Sequence, residues 1–109
     1  MRTVKPAKLL RLHFGESDRH NGKPLYEAIV DRCRELGVAG ATVFRGLEGF
    51  GDIGELHRRR GDHPIVVTIV DAPEAIDSLI PQLESMLSSG VIAVSNVVAV
   101  RVENTPPTS

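Results

Sequence analysis

The sequence predicts an α+β domain in which a strand–helix–strand unit is used twice. Two segments place apolar residues at the three- and four-residue spacings of a helix, and four others are rich in strand-forming residues. The 109 residues, 41% of them hydrophobic, are close to the commonest size of one domain and can fill a single core. We expect one domain over residues 1–109, ordered from about residue 8 to 102, with a frayed tail at 103–109.

The first unit is predicted to comprise a strand, a helix and a second strand. Apolar side chains alternate with others along residues 8–14, which is the period of a strand. After a polar loop, the helix begins at Pro24, whose fixed φ suits the first helical position. Gly37 stands where a left-handed C-terminal cap belongs and is predicted to end the helix. The second strand is predicted at residues 39–46.

The second unit repeats this order. Residues 64–71 are almost all β-branched and predict the third strand. The second helix is predicted to start near Pro73 and to be bent or interrupted at Pro81, which lacks the N–H that the helix needs. Gly90 is predicted to end this helix as Gly37 ends the first. The fourth strand is predicted at 97–102.

The resulting order, βαββαβ, predicts a ferredoxin-like fold. Right-handed crossovers place both helices on one face of a four-stranded antiparallel sheet. The other face should then be polar in a monomer, yet the third and fourth strands are apolar on both faces. An exposed apolar patch of this size predicts that the chain self-associates through the open face of the sheet.

Composition and charge exclude several classes of protein. The net charge of −1 provides no overall basic field for nucleic acid. No stretch approaches the roughly 20 apolar residues of a membrane span, and the start of the chain does not have the pattern of a signal peptide. The single cysteine, Cys33, falls on the apolar stripe of the first helix, where a small core residue is expected. One cysteine without a disulfide partner fits a cytoplasmic location.

The segment between the second and third strands is the strongest candidate for a ligand loop. It opens with "RGLEGFG", and 12 further residues, "DIGELHRRRGDH", separate Gly51 from Pro64. Hairpin loops usually need about 2 to 5 residues, and longer ones tend to be functional or disordered. Its glycines allow backbone N–H groups to converge on an anion, and three loop cations could bind phosphate: Arg58, Arg59 and Arg60. A solvated hairpin tip with ordinary turn glycines remains the alternative.

Catalytic and metal sites are not indicated by the pattern. Ser17, Asp18 and His20 crowd into one loop, where an oriented catalytic relay is difficult to form, so turn chemistry is the better interpretation. The histidines lack the spacing of metal ligands. Arg101 interrupts an otherwise apolar strand and would need an anionic partner if it were covered. We therefore expect a protein that is not an enzyme.

Two long blocks of the sequence resemble a known family. The block "GESDRHNGKPLYEAIVDRCRELGVAGATVFRGLEGFG" and the later "HPIVVTIVDAPEAIDSLIPQLESML" are similar to the PII-like proteins catalogued as domain of unknown function 190, within the PII nitrogen-regulatory superfamily. The resemblance implies ferredoxin-like subunits that form a homotrimer and bind nucleotides in clefts between neighbouring subunits. It places one group of residues at the base of the loop: Arg45, Gly46, Gly49, Phe50 and Gly51. It places Gly90 and Val91 at the turn after the second helix, and Arg101 on the last strand.

The hypothesis that follows is a trimeric regulator of the PII-like type. It would bind an adenine nucleotide such as ATP, ADP or AMP in the clefts between subunits and signal by ordering residues 50–63. Family members are often encoded beside fluoride exporters, which implies a membrane transporter or channel as partner, without insertion of this chain into the membrane. Two alternatives would use the same clefts: an enzyme of the ferredoxin-like fold, or a protein of the divalent-metal-tolerance type.

Overall fold

The structure, a computed structural model, describes residues 1–48 and 62–105 and shows a four-stranded antiparallel sheet covered by two helices. Strands β4, β5, β1 and β6 are hydrogen-bonded in that order, and β2 and β3 form a separate small ribbon between β1 and α1. This confirms the predicted ferredoxin-like fold. Along the chain the elements are β1 (Arg2–Gly15), β2 (Arg19–His20), β3 (Lys23–Pro24), α1 (Leu25–Glu35), β4 (Ala41–Arg45), β5 (Pro64–Asp71), α2 (Pro73–Glu84) and β6 (Val91–Val102).

The core lies between the helices and one face of the sheet. Alternate residues of the two central strands, β1 and β5, face each other across the ladder and are almost completely buried. Both helices contribute their apolar stripes to the same cluster, which contains Leu10, Leu12, Phe14, Leu25, Ile29, Cys33, Ile65, Val67, Ile69, Ile76, Leu79 and Leu83. Burial raises the pKa of the Cys33 thiol, as a buried position predicts. No helix in the described parts of the chain is long and apolar enough to cross a membrane.

Strands β1 and β6 are longer than the sequence pattern predicts. β5 covers residues 64–71 as predicted, but β1 begins at Arg2 rather than residue 8, and β6 begins at Val91 rather than residue 97. β6 pairs with β1 along its whole length, from Val102 opposite Arg2 to Val91 opposite His13. Backbone pairing holds these extensions together where the polar residues interrupt the apolar alternation, so the pattern alone did not reveal them.

The extension of β1 and β6 projects beyond the four-stranded part of the sheet. β5 ends at Asp71, opposite Lys8, so residues 2–7 and 97–102 pair only with each other. One side of this two-stranded ribbon carries four exposed valines, which we call the valine face. Their exposed fractions are 55%, 67%, 47% and 61% for Val4, Val98, Val100 and Val102.

The two helices end differently. At the end of α1, Gly37 has a φ of +73°, its N–H donates to the Arg34 carbonyl at 3.2 Å, and the Val38 N–H donates to the Cys33 carbonyl at 3.0 Å. These two bonds form a Schellman cap, so the predicted role of Gly37 is confirmed. The prediction for Gly90 is wrong, because α2 continues through Pro81, ends at Glu84, and is followed by turns before β6.

The polar segment after β1 contains a small hairpin that its sequence pattern does not predict. Asn21 and Gly22 have φ values of +50° and +84° and connect β2 to β3. Two successive positive φ values are the mark of a type I′ turn, for which Asn-Gly is a preferred pair. Lys23, directly after the turn, ties this hairpin to α1 through an ion pair with Asp31, with 2.9 Å between Nζ and Oδ2.

Candidate functional site at the loop base

The loop base consists of the described residues at both ends of the β4–β5 segment together with the turn after β1, namely residues 15–18, 45–48 and 62–63. β4 ends at Arg45 and β5 begins at Pro64, and the two ends are joined directly. The Gly46 N–H donates to the Pro64 carbonyl at 2.7 Å. Nδ1 of His63 lies 3.2 Å from the Gly46 carbonyl oxygen, which can only accept, so Nδ1 carries the proton. The segment therefore leaves and rejoins the sheet at fixed positions.

The turn after β1 holds the returning end of the segment. The Glu16 N–H donates to the His63 carbonyl at 2.9 Å. Ser17 donates twice to the Asp62 carboxylate, from its N–H at 2.8 Å and from its Oγ at 3.0 Å. The antiparallel pairing of Gly15 with Pro64 explains this arrangement, because it places the residues after β1 beside those before β5.

The polar side chains of this turn form hydrogen bonds within the chain. The Ser17 hydroxyl donates to Asp62, and the His20 ring lies 3.4 Å from the side-chain amide of Asn21. The Asp18 carboxylate accepts from the Gly15 N–H at 3.2 Å. Ser17 and His20 therefore contact Asp62 and Asn21, respectively.

Arg45 is the cation of the loop base. Its Nη1 lies 3.3 Å from Oε2 of Glu16, and the two side chains are 60% and 31% exposed. Charge-assisted N–H···O bonds are usually about 2.7–2.9 Å long, so this ion pair is loose. Arg45 was predicted to bind the phosphate of a ligand. In the structure it is therefore paired, weakly, with a carboxylate of the same chain.

Position 46 requires a glycine because of close packing, not because of an unusual backbone conformation. A Cβ atom at this position would lie 2.7 Å from Cγ of Pro64, closer than real Cβ contacts allow. Gly46 does not have the positive φ that the glycine pattern suggested, and its N–H is already bonded to Pro64. Its contribution is therefore the close approach of β4 and β5 at the loop base, not a free donor for an anion.

Gly90 and Val91 lie at the same end of the sheet as Arg45. Val91 is paired with His13, one residue from the row that joins Phe14, Ile65 and Arg45 across the sheet. Three strand spacings separate β4 from β6, which corresponds to about 14 Å between their backbones. A Cβ on Gly90 would lie 2.8 Å from the His13 carbonyl oxygen, so this position also requires glycine.

Beside Gly90 is an open groove of about 480 Å³, lined by Ile80, Glu84, Leu87, Ser88, Ser89, Gly90, Ile92 and Val94.

Arg101 lies at the opposite end of β6. It is paired with Thr3 in the projecting ribbon, ten residues along the strand from Val91. At about 3.3 Å per residue, the two positions are roughly 33 Å apart. The Arg101 side chain is exposed rather than covered, and it pairs with the exposed Glu103, with 2.8 Å between Nη2 and Oε1. One chain therefore brings Arg45, Gly90 and Val91 to one end of the sheet but leaves Arg101 at the other.

The remaining predicted site residues lie outside the described residues: Gly49, Phe50, Gly51, Arg58, Arg59 and Arg60. The same holds for residues 50–61 of the segment 50–63 that is expected to order on binding, whereas Asp62 and His63 make the bonds given above. Within residues 1–48 and 62–105, no group of three His, Cys, Asp or Glu side chains could hold a metal ion.

Four residues that shape the loop base were not among the predicted site residues: Glu16, Ser17, Asp62 and His63. One signal could have found them. In a ferredoxin-like sheet the first and third strands are neighbours and antiparallel, so the residues directly after one adjoin those directly before the other. The polar pairs "ES" after the first strand and "DH" before the third would then be expected to meet.

A family profile matches most of the chain. The profile of DUF190, described as an uncharacterised ACR, covers residues 7–99. The chain belongs to the DUF190 family. A relative, the UPF0166 protein of Aquifex aeolicus, is 35% identical over 102 residues, which span 89% of this chain and 95% of that protein.

Two solved structures share the fold of this DUF190 chain. A putative PII-like signalling protein from Thermus thermophilus superposes with a TM-score of 0.61 at 19% identity, covering 88% of this chain and 90% of that one. CPII from Thiomonas intermedia, bound to ADP, AMP and acetate, superposes with a TM-score of 0.58 at 21% identity, covering 89% and 91%. These likenesses show that this DUF190 chain has a PII-like fold.

Proposed function

We propose that this chain is a PII-like regulatory protein that forms a homotrimer, binds an adenine nucleotide between its subunits, and signals through the β4–β5 loop. The fold it shares with CPII, which has been solved with ADP and AMP, supports this proposal. The loop base supports it as well, because a cation and a tightly joined pair of strand ends stand where the loop leaves the sheet.

The main support for the proposal is the distance, within one chain, between Arg101 and the other predicted site residues. Arg45, Gly90 and Val91 share one end of the sheet, and Arg101 lies roughly 33 Å from Val91 along β6. A single nucleotide cannot reach both ends of one subunit. A cleft that contains all four residues must therefore take Arg101 from a neighbouring subunit.

The exposed apolar surface supports self-association. A two-stranded ribbon is only marginally stable in water on its own, and the valine face of this ribbon is covered by neither helix. Phe44, Val70 and Val91 add exposed apolar area on the open face of the sheet. Contacts between copies would bury both surfaces, and three copies close a ring with the head-to-tail contacts that the shared cleft requires.

A role in regulation fits the loop base better than catalysis does. An enzyme needs convergent titratable groups that are available to a substrate. Among the titratable groups of the described loop base, Glu16, Asp62 and His63 already have partners in the same chain, namely Arg45, Ser17 and Gly46. The protein partner in this proposal is a membrane transporter or channel, following the family resemblance.

Calorimetric titration with ATP, ADP and AMP, combined with light scattering, tests the proposed function. A trimer that binds one of these nucleotides with one site per subunit is the expected result. A stable monomer at micromolar concentration, or a trimer that binds none of the three, would contradict it. Turnover of a bound nucleotide would instead favour the enzyme alternative.

A further inference from the structure

We infer that Glu16 is an internal competitor for the anionic ligand: its carboxylate neutralises Arg45 in the free protein and thereby sets the affinity and the charge preference of the site. This inference rests on the proposed function, since it concerns a phosphate-bearing ligand at the loop base. It assigns a specificity role to a residue of the turn after β1, which the sequence pattern marked only as loop.

The first support is the geometry of the pair. Arg45 is the last residue of β4, and its guanidinium extends to Glu16 at 3.3 Å through a single nitrogen. A guanidinium has five N–H donors and binds phosphate best with two of them in parallel. The long, single contact with Glu16 is therefore weaker than a bidentate contact with phosphate, and a ligand can displace it.

The second support is the fixed position of Glu16. Its N–H is bonded to the His63 carbonyl at 2.9 Å, and the next residue, Ser17, makes two bonds to Asp62. The backbone of the turn consequently stays at the loop base when the side chain releases Arg45. A displaced Glu16 carboxylate then faces the ligand as a like charge, and this repulsion grows with the number of phosphates.

The other charges of the described loop base are carboxylates, so the pairing of Arg45 with Glu16 affects how well the site accepts an anion. Besides Glu16, the described loop base contains the carboxylates of Asp18, Glu48 and Asp62, whereas Arg45 is the one guanidinium within residues 15–18, 45–48 and 62–63. Glu16 is the carboxylate that contacts that guanidinium. Removing its charge should therefore help an anion in two ways, by freeing Arg45 and by reducing the repulsion.

The test is a calorimetric comparison of the parent protein and Glu16→Gln, with adenosine, AMP, ADP and ATP as ligands. Glutamine keeps the length of the side chain and the backbone N–H bond to His63. The expected gain in affinity is nil for adenosine, about threefold for AMP and about tenfold for ATP, the size of a solvent-screened charge interaction. The matched control is Glu35→Gln, which removes the same charge from an exposed Arg32–Glu35 pair on α1 and should change no affinity.

A second comparison shows whether Glu16 acts through Arg45. In an Arg45→Gln background the gain from Glu16→Gln should shrink to less than half, because there is no guanidinium left to release. An equal gain in that background would mean that Glu16 acts only by repelling the ligand electrostatically. That result would overturn the proposed competition for Arg45. Equal or weaker binding of ATP by Glu16→Gln, in a parent that binds ATP, would overturn the inference alone. A parent that binds none of the nucleotides would overturn the proposed function and this inference together.

Discussion

The carboxylate of Asp62 accepts two hydrogen bonds from Ser17, one from its N–H at 2.8 Å and one from its Oγ at 3.0 Å. These residues are 45 positions apart in the chain, and their contact joins the turn after β1 to the end of the β4–β5 segment. Together with the bond from the Glu16 N–H to the His63 carbonyl, it determines where the loop rejoins the sheet.

Ser17→Ala and Asp62→Ala should distinguish the contributions of the two hydrogen bonds to stability. The alanine at position 17 loses the hydroxyl donor but keeps the backbone N–H bond, so we expect a loss of about 0.5 kcal/mol in the free energy of unfolding. Asp62→Ala removes the acceptor of both bonds and should cost about 1–2 kcal/mol. Urea denaturation measures both. Equal effects of the two variants would show that the N–H bond contributes nothing.

Gly46→Ala should destabilise the protein. The added Cβ would lie 2.7 Å from Cγ of Pro64, a ring atom that can yield only slightly, and overpacking of this kind costs about 1–3 kcal/mol. The matched control is Gly40→Ala, since a Cβ there has no atom within 4 Å and the residue has no positive φ. That control should be neutral or slightly stabilising. If both variants have the same denaturation midpoint, the close approach of β4 and β5 is not required.

The Lys23–Asp31 ion pair should make a small, pH-dependent contribution to stability. The hydrogen bond from Lys23 lowers the pKa of Asp31 below its usual value, and the bond to Asp31 raises the pKa of Lys23 above its own. The contribution of Asp31 is thus present above its unfolded-state pKa and is lost as the pH falls through the lowered folded-state pKa. The contribution of Lys23 is present below its unfolded-state pKa and is lost as the pH rises through the raised folded-state pKa.

The substitution that tests this pair is Lys23→Gln. We expect the pKa of Asp31, followed by NMR titration of its carboxyl carbon, to rise towards its usual value. An unchanged pKa in the variant would show that the ion pair is not populated in solution.

Much of the fold could be predicted from the sequence, and the reasons differ by element. β5 was predicted with its observed bounds because six consecutive residues, 65–70, are suited to a buried strand. The ends of β1 and β6 were missed because their pairing depends on backbone bonds, which leave no mark in the apolar pattern. The end of α2 was misplaced because Gly90 is required by its contact with the His13 carbonyl, not by a helix cap.

The candidate site was less predictable than the fold. Arg45 and Gly46 follow a recognisable strand, so their position could be inferred from the chain order. The partners of these residues could not, because Ser17 meets Asp62 only through the register of β1 against β5. Pairing Glu16 with Arg45 likewise depends on a contact across 29 positions of sequence, which no local pattern records.

Val100→Asp should dissociate the proposed trimer without unfolding the subunit. Val100 lies in the middle of the valine face, opposite Val4, and a charge there can be solvated in a monomer but not within an apolar interface. Val67→Asp is the comparison, because Val67 is completely buried under the helices and the same charge there should unfold the chain. Light scattering gives the mass and circular dichroism the fold. An unchanged mass for Val100→Asp would place the subunit interface elsewhere.

The most direct test of the shared cleft is to mix two variants that each lack one cation of the proposed site. Arg45→Gln and Arg101→Ala should each weaken nucleotide binding. After subunit exchange in equal amounts, a cleft regains both cations when an Arg101→Ala subunit provides Arg45 and an Arg45→Gln neighbour provides Arg101. The chance is one half times one half, so about one quarter of the clefts should bind with the parent affinity. A mixture in which no cleft recovers the parent affinity would contradict a nucleotide site formed by Arg45 of one subunit and Arg101 of the next.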